Sequence, residues 1–204
     1  MAPSPTCKPR RSWPPSYEVS MARRENSPRR RRTPTRVSAS RVLAVCCGQT
    51  EQAYLDGLKR LSKPVTVKAV VKVGSPAQLV RYAAKMRESD RGGFDEYWCV
   101  VDVDEFDIAE AIAEAQSTRI SLAVSNPCFE VWLILHFEGC TAGISSPKAA
   151  AEKLRRHVPG YAKGTLDFAL LAERVDKAVE RAKALGDGNP SSDMWRLVEV
   201  VRKH

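Results

Sequence analysis

Val100-Val101-Asp102-Val103-Asp104-Glu105 is an apolar run that closes on two carboxylates spaced i, i+2. Alternate residues of a strand point to one side, so Asp102 and Asp104 can converge on one cation where a strand runs out. Acidic residues are also common in a strand-to-helix turn, where they cap the next helix and favour its dipole. Both readings place a strand here and a helix after it.

Either side of this segment, short β-branched runs alternate with longer helical patterns. The expected strands are Arg41–Cys47, Val65–Val73, Tyr97–Asp102 and Ile120–Val124, and the helices that follow them are Glu51–Leu61, Pro76–Ser89, Asp107–Ser117 and Cys128–Phe137. Such βαβα order calls for an α/β fold with a mostly parallel sheet and helices on both faces. Metal and phosphate sites in these sheets gather at the carboxyl ends of the strands, near a topological switch point. The loops after the first strand (47–51) and the third (102–107) are therefore expected to share one crevice. From about residue 147 only helices are expected, at Pro147–His157, Asp167–Leu185 and Ser192–Arg202, separated by Pro159-Gly160 and by Gly186-Asp187-Gly188-Asn189-Pro190. Phe168, Leu171, Val175, Ala178, Val179 and Ala182 give the second of these a single apolar face.

Charge is concentrated at one end. Residues 1–41 hold 11 Lys/Arg against two glutamates, whereas residues 42–204 hold 22 basic and 22 acidic side chains. That leader also carries 7 of the 13 prolines and almost no apolar periodicity, so it is expected to be disordered. Arg29-Arg30-Arg31-Arg32 would contact phosphate through counterion release, although such a tail can equally serve only to solubilise, and Met21 is an alternative start. The expected organisation is a basic tail over 1–40, an α/β domain over 41–140 and a helical C-terminal extension over 141–204 packed on it. No stretch approaches the roughly 18 apolar residues of a membrane span, and no signal peptide is evident, so a cytoplasmic protein is expected. Six scattered cysteines (Cys7, Cys46, Cys47, Cys99, Cys128, Cys140) without C-x-x-C spacing read as reduced, mostly buried small hydrophobes.

Three constellations could carry chemistry. Cys46-Cys47-Gly48-Gln49-Thr50-Glu51 places a glycine turn and a carboxylate at the start of a helix. Glu51 is a candidate ligand or general base, or else simply an acid in the first turn of a helix capped by Thr50. No Walker loop or dinucleotide fingerprint is present, and no arginine follows either cysteine as a cysteine-phosphatase loop requires. Asp102 and Asp104 are the second constellation. The third, Ser125-Asn126-Pro127-Cys128-Phe129-Glu130, opens an apolar helix that Ser125 or Asn126 can cap, with Glu130 near its amino end facing the same crevice. Trp132, Leu133, Leu135 and Phe137 read as core, and His136 as a hydrogen-bonded core histidine. With only His136, His157 and His204 available, neither a Ser-His-Asp triad nor a three-histidine zinc site is expected.

Gly48-Gln49-Thr50-Glu51-Gln52-Ala53-Tyr54-Leu55, Asp95 to Asp104, and Ser125-Asn126-Pro127-Cys128-Phe129-Glu130-Val131-Trp132-Leu133-Ile134-Leu135-His136-Phe137 resemble, in order, three blocks of the RloB-like family. Tyr161-Ala162-Lys163 and Asn189-Pro190-Ser191-Ser192 resemble later pieces of it, and the arginine-rich leader is similar to what the family often carries. The resemblance implies a Toprim-like α/β domain and a role in phage defence or abortive infection beside an AAA- or ABC-type ATPase. It also implies phosphodiester cleavage with Mg²⁺ or Mn²⁺ held by Asp102 and Asp104, with Glu51 as ligand or general acid/base. Glu130 is the further candidate ligand. The candidate substrate contacts, to DNA or RNA, are Arg29, Arg30, Arg31, Arg32, Ser125 and Asn126, and a homo-oligomer is left open.

The chain departs from the Toprim pattern at one position, since Cys47 stands before Gly48 where a glutamate is expected. A thiol is a poor ligand for hard Mg²⁺. Three outcomes are open: Glu51 serves with Asp102 and Asp104 around a single metal, the domain has lost turnover and keeps binding, or Cys47 joins a softer metal as thiolate. The alternative function is accordingly a nucleic-acid-binding or ATPase-docking module. A haloacid-dehalogenase-like phosphatase, which also uses D-x-D, expects the pair on its first strand, and here two strand-helix units precede it.

Overall fold

Side chains of the first strand alternate between two apolar layers: Val42, Ala44 and Cys46 enter one, Leu43 and Val45 the other. A strand buried on both faces reads as an unbroken apolar run, because neither side meets water. This strand, β1 (Arg41–Cys46), is interior to a five-stranded sheet ordered β2-β1-β3-β4-β5, with β2 (Thr66–Val71), β3 (Glu96–Asp102), β4 (Ser121–Asn126) and β5 (Ser191–Ser192). The first four strands are parallel, and β5 runs antiparallel to β4. The structure is a computed structural model and describes residues 40–202 except 63–64, 91 and 104–107. The expected disordered tail, with Arg29 to Arg32 and Cys7, lies outside the described residues, as does Asp104.

One face of the sheet is covered by α1 (Gln49–Leu61), α4 (Glu130–Leu135), α5 (Pro147–Arg155), α6 (Ala169–Ala172), α7 (Val175–Leu185) and α8 (Met194–Arg202). The other is covered by α2 (Pro76–Ser89) and α3 (Ala109–Thr118). The start of α2 is set locally: Ser75 and Gln78 form a reciprocal capping box, and Pro76 occupies the first turn. Among the described residues, no helix is long and apolar enough to cross a membrane. Cys46, Cys99, Cys128 and Cys140 are free and buried, and Cys47 is free and partly exposed.

Sheet order positions the site. The chain leaves β1 toward β2 on one side and returns for β3 on the other, so the connections after β1 and β3 diverge and open a crevice at their carboxyl ends. The start of α1 is fixed there by Tyr54, fully buried and in edge contact with Phe129, Trp132 and Phe168. Burying an aromatic ring of this size stabilises by about 2–3 kcal/mol, which is enough to lock the rotation of a short helix.

Three expectations are corrected. The single helix over 167–185 is two, because the chain tightens at Glu173 and Arg174, where the Arg174 N–H donates to Leu171 O (2.8 Å). The break lets Phe168 lie against Gly57 of α1 while α7 packs on α4 and α8. The region after 147 is not helical throughout, since Ser191 and Ser192 extend the sheet. Finally, Ser125 and Asn126 do not cap α4: β4 runs on through Asn126, and the helix starts at Glu130 with Phe129 as its cap residue.

Candidate metal centre

Gly48 ends the first strand's turn with extended backbone, and its missing side chain matters. A Cβ there would sit 2.8 Å from Glu51 Oε2, so glycine lets the Glu51 carboxylate fold back over the start of its own helix. The Cys47 thiol donates to Glu51 Oε1 at 3.0 Å. Glu51 is only 5% exposed, although it sits in a first helical turn where acids are usually solvated. Thr50 does not cap this helix. Its Oγ1 accepts the Gly164 N–H (2.8 Å) and so ties the 161–165 turn to the start of α1.

Asp102 is the last residue of β3 and reaches the same place from the neighbouring strand. One of its oxygens, Oδ1, is shielded from solvent and has no hydrogen-bond partner among the described residues. Burial, then the charge of Glu51 and, more weakly, that of Glu130, push its carboxyl up to about 8, against the Phe129 N–H and Lys163, which pull it down. Glu130, 3% exposed, lies in the first turn of α4 and accepts the Tyr161 hydroxyl (3.0 Å). Burial followed by the Glu51 and Asp102 charges pushes the Cys47 thiol far above its ordinary value, so without a cation it keeps its proton.

These side chains border a cavity of about 330 Å³ that also meets Phe129 and Lys163. Among the described residues, Glu51, Asp102 and Glu130 face Lys163, and Asp102 Oδ1 lacks a donor; in such a low-dielectric cleft a cation would favour the ionised Asp102 that burial resists. Cys47, Glu51 and Asp102 each bring one donor atom to within 4.8 Å of the other two. Glu130 stands outside that tight group. The carboxylate oxygens suit Mg²⁺ or Mn²⁺ and the sulfur does not, so the donor set fits a divalent cation but is mixed in hardness.

A family model described as RloB-like protein matches residues 42–201. The chain belongs to the RloB-like family. No curated protein and no solved structure matches it. The three blocks of this RloB-like chain meet in space: 48–55 forms the turn into α1, 95–102 forms β3, and 125–137 spans the end of β4 and all of α4.

Among the sequence-derived candidates, Glu51, Asp102, Glu130 and Cys47 line one cavity. Ser125 does not join them. It is fully buried, its hydroxyl bonded to that of Ser192 (2.9 Å), because the pairing of β5 with β4 turns the two serines toward each other. Asn126 is paired with Ser191 in the same ladder. Tyr161, Lys163 and Thr50, named in the sequence but not as site residues, brace or border the cavity. The Tyr161-Ala162-Lys163 piece was visible, but nothing in its spacing told which carboxylate, more than thirty residues away in sequence, the tyrosine would hold.

Proposed function

We propose that this RloB-like chain is a divalent-metal-dependent hydrolase of phosphodiester bonds in DNA or RNA, acting as an effector in phage defence with a partner ATPase. The observation that carries the reading is the convergence of Glu51 and Asp102, with its unpaired buried oxygen, at the switch point between β1 and β3. The defence setting and the ATPase rest on the resemblance of the sequence blocks. A cation bound there, Mg²⁺ or Mn²⁺ by that resemblance, would neutralise charge developing on phosphoryl oxygens.

The chain's own groups supply the rest. Asp102 and Glu51 would hold the cation, with Asp104 as a further candidate ligand, and Glu51, which accepts a hydrogen bond from the Cys47 thiol, would act as the general acid/base. Tyr161 fixes Glu130 so that this carboxylate keeps its place when charged neighbours change. Lys163 at the rim would meet a substrate phosphate, together with the tail arginines Arg29 to Arg32. A second basic region supports a polyanionic substrate. Lys72 donates its N–H to Cys46 O (2.9 Å) and so stands one strand from Cys47; Arg81 and Lys85, on one face of α2, border the same groove of about 360 Å³. Arg81 shares its charge with Glu110 (3.0 Å), which leaves Lys72 and Lys85 as the main phosphate contacts there.

The test is cleavage of single- and double-stranded DNA and RNA by the full chain, with its ATPase, in Mg²⁺, Mn²⁺, Zn²⁺ and Co²⁺. Cleavage is expected and is abolished by Asp102→Ala. A second reading, a binding or docking module without turnover, is favoured by Cys47 in the metal cluster, and it is the correct one if only a Cys47→Glu variant cuts.

A further inference from the structure

A sequence comparison of positions makes Cys47 a missing ligand, whereas the structure keeps it in the cluster. Its Sγ lies 3.0 Å from Glu51 Oε1, and the donor atoms of Cys47, Glu51 and Asp102 are mutually within 4.8 Å. A tetrahedral ion with Zn–S near 2.3 Å and Zn–O near 2.0 Å separates its donors by about 3.3–3.6 Å, so small rotations of these side chains complete a three-donor set. Within the cluster, Asp102 receives the Phe129 N–H, while its buried Oδ1 has no partner among the described residues and is free to bind an ion. The cavity beyond these atoms leaves a fourth position open.

We propose that the cation site of this chain is a thiolate-carboxylate centre, formed by Cys47, Glu51 and Asp102, that selects sulfur-accepting divalent ions of the Zn²⁺ and Co²⁺ class over Mg²⁺. The inference rests on the reading of this cluster as a metal site and changes the ion, not the place. Mg²⁺ demands six oxygen donors in near-ideal octahedral geometry and gains little from sulfur. Zn²⁺ binds thiolate, carboxylate and an open position equally well, and sulfur strengthens its hold. On binding, the Cys47 S–H bond breaks, the sulfur keeps the electron pair as the new ligand, and the proton leaves to solvent. The Cys47 to Glu51 hydrogen bond is then replaced by two bonds to the same ion.

The test titrates Co²⁺, Zn²⁺ and Mg²⁺ separately into the full-length reduced chain. Co²⁺ is expected to produce a sulfur-to-cobalt charge-transfer band that saturates at one equivalent, and Zn²⁺ to displace it. Cys47→Ser should abolish the band and weaken Zn²⁺ by roughly a hundredfold while leaving Mg²⁺ affinity unchanged or improved. Cys47→Glu should invert the preference toward Mg²⁺, and circular dichroism of each variant reports whether the fold is kept. Mg²⁺ binding as tight as Zn²⁺, or a band that survives Cys47→Ser, overturns the thiolate centre and leaves the metal-site reading standing. If no cation binds the wild type or the Cys47→Glu variant, both readings fall.

Discussion

Burial and the neighbouring charges of Glu51 and Glu130 hold the Asp102 carboxyl near 8, against an ordinary 3.8. The native chain thus keeps a proton that the unfolded chain has already released, so between these values its stability falls as pH rises. Asp102→Asn should therefore raise the metal-free melting temperature at pH 8, by about 3 °C for a gain of roughly 1 kcal/mol, while removing any stabilisation by added cation. Differential scanning calorimetry with and without metal checks both signs; a variant less stable than wild type in metal-free buffer would refute the electrostatic account. His136 has the opposite sense. Its Nδ1 donates to Trp132 O (2.9 Å), its Nε2 accepts the Tyr54 hydroxyl (3.2 Å), and burial pulls it from 6.5 down to about 4. Its contribution is complete above 6.5 and is lost as pH falls toward 4, amounting to about 3 kcal/mol. Urea unfolding across this range should show a steeper loss for wild type than for His136→Gln. The histidine was legible as core because its neighbours are all apolar; the Tyr54 partner, 82 residues away, was not.

Elements show where pattern suffices and where it fails. The apolar alternation of β1 and β3 and the Ser75-Pro76 signal of α2 are local, and those elements fall within a residue or so of where periodicity puts them. The split of the long C-terminal helix was not legible, because the same apolar face continues through Arg174 while its two halves meet different neighbours. Nor was β5, whose two residues have no periodicity to read. Gly57 belongs to the same class. Inside a helical pattern it reads as a mild weakness, yet a Cβ there would lie 2.1 Å from Phe168 Cγ. Gly57→Ala should cost about 2 kcal/mol despite the better helix propensity of alanine, with partial recovery on adding Phe168→Leu. Chemical denaturation of the two variants measures this, and a neutral or stabilised Gly57→Ala chain would mean that the α1 to Phe168 contact is not tight.

At the scale of the molecule, the switch point puts carboxylates and basic side chains on one edge of the sheet. The cavity sits between the ends of β1 and β3, and the Lys72 backbone, just past β2, bonds to Cys46 O one residue before Cys47. Lys72→Glu/Lys85→Glu should weaken metal-free nucleic-acid binding at every sequence and reduce the slope of log affinity against log salt by about 2. Fluorescence anisotropy over a salt series is the measurement; an unchanged slope would place the binding surface elsewhere, as the tail arginines allow.

The α/β class, the succession of strands and the carboxylates at the ends of β3 and near β1 can be read from the amino-acid order alone. Each of those follows from local periodicity and from the rule that parallel strands need crossovers. Packing of the elements, by contrast, set the Cys47 thiol against Glu51, tied Tyr161 to Glu130 and Gly164 to Thr50, and turned Ser125 to Ser192. Those contacts join residues far apart in sequence. Their geometry depends on how whole elements pack, and no spacing along the chain encodes it.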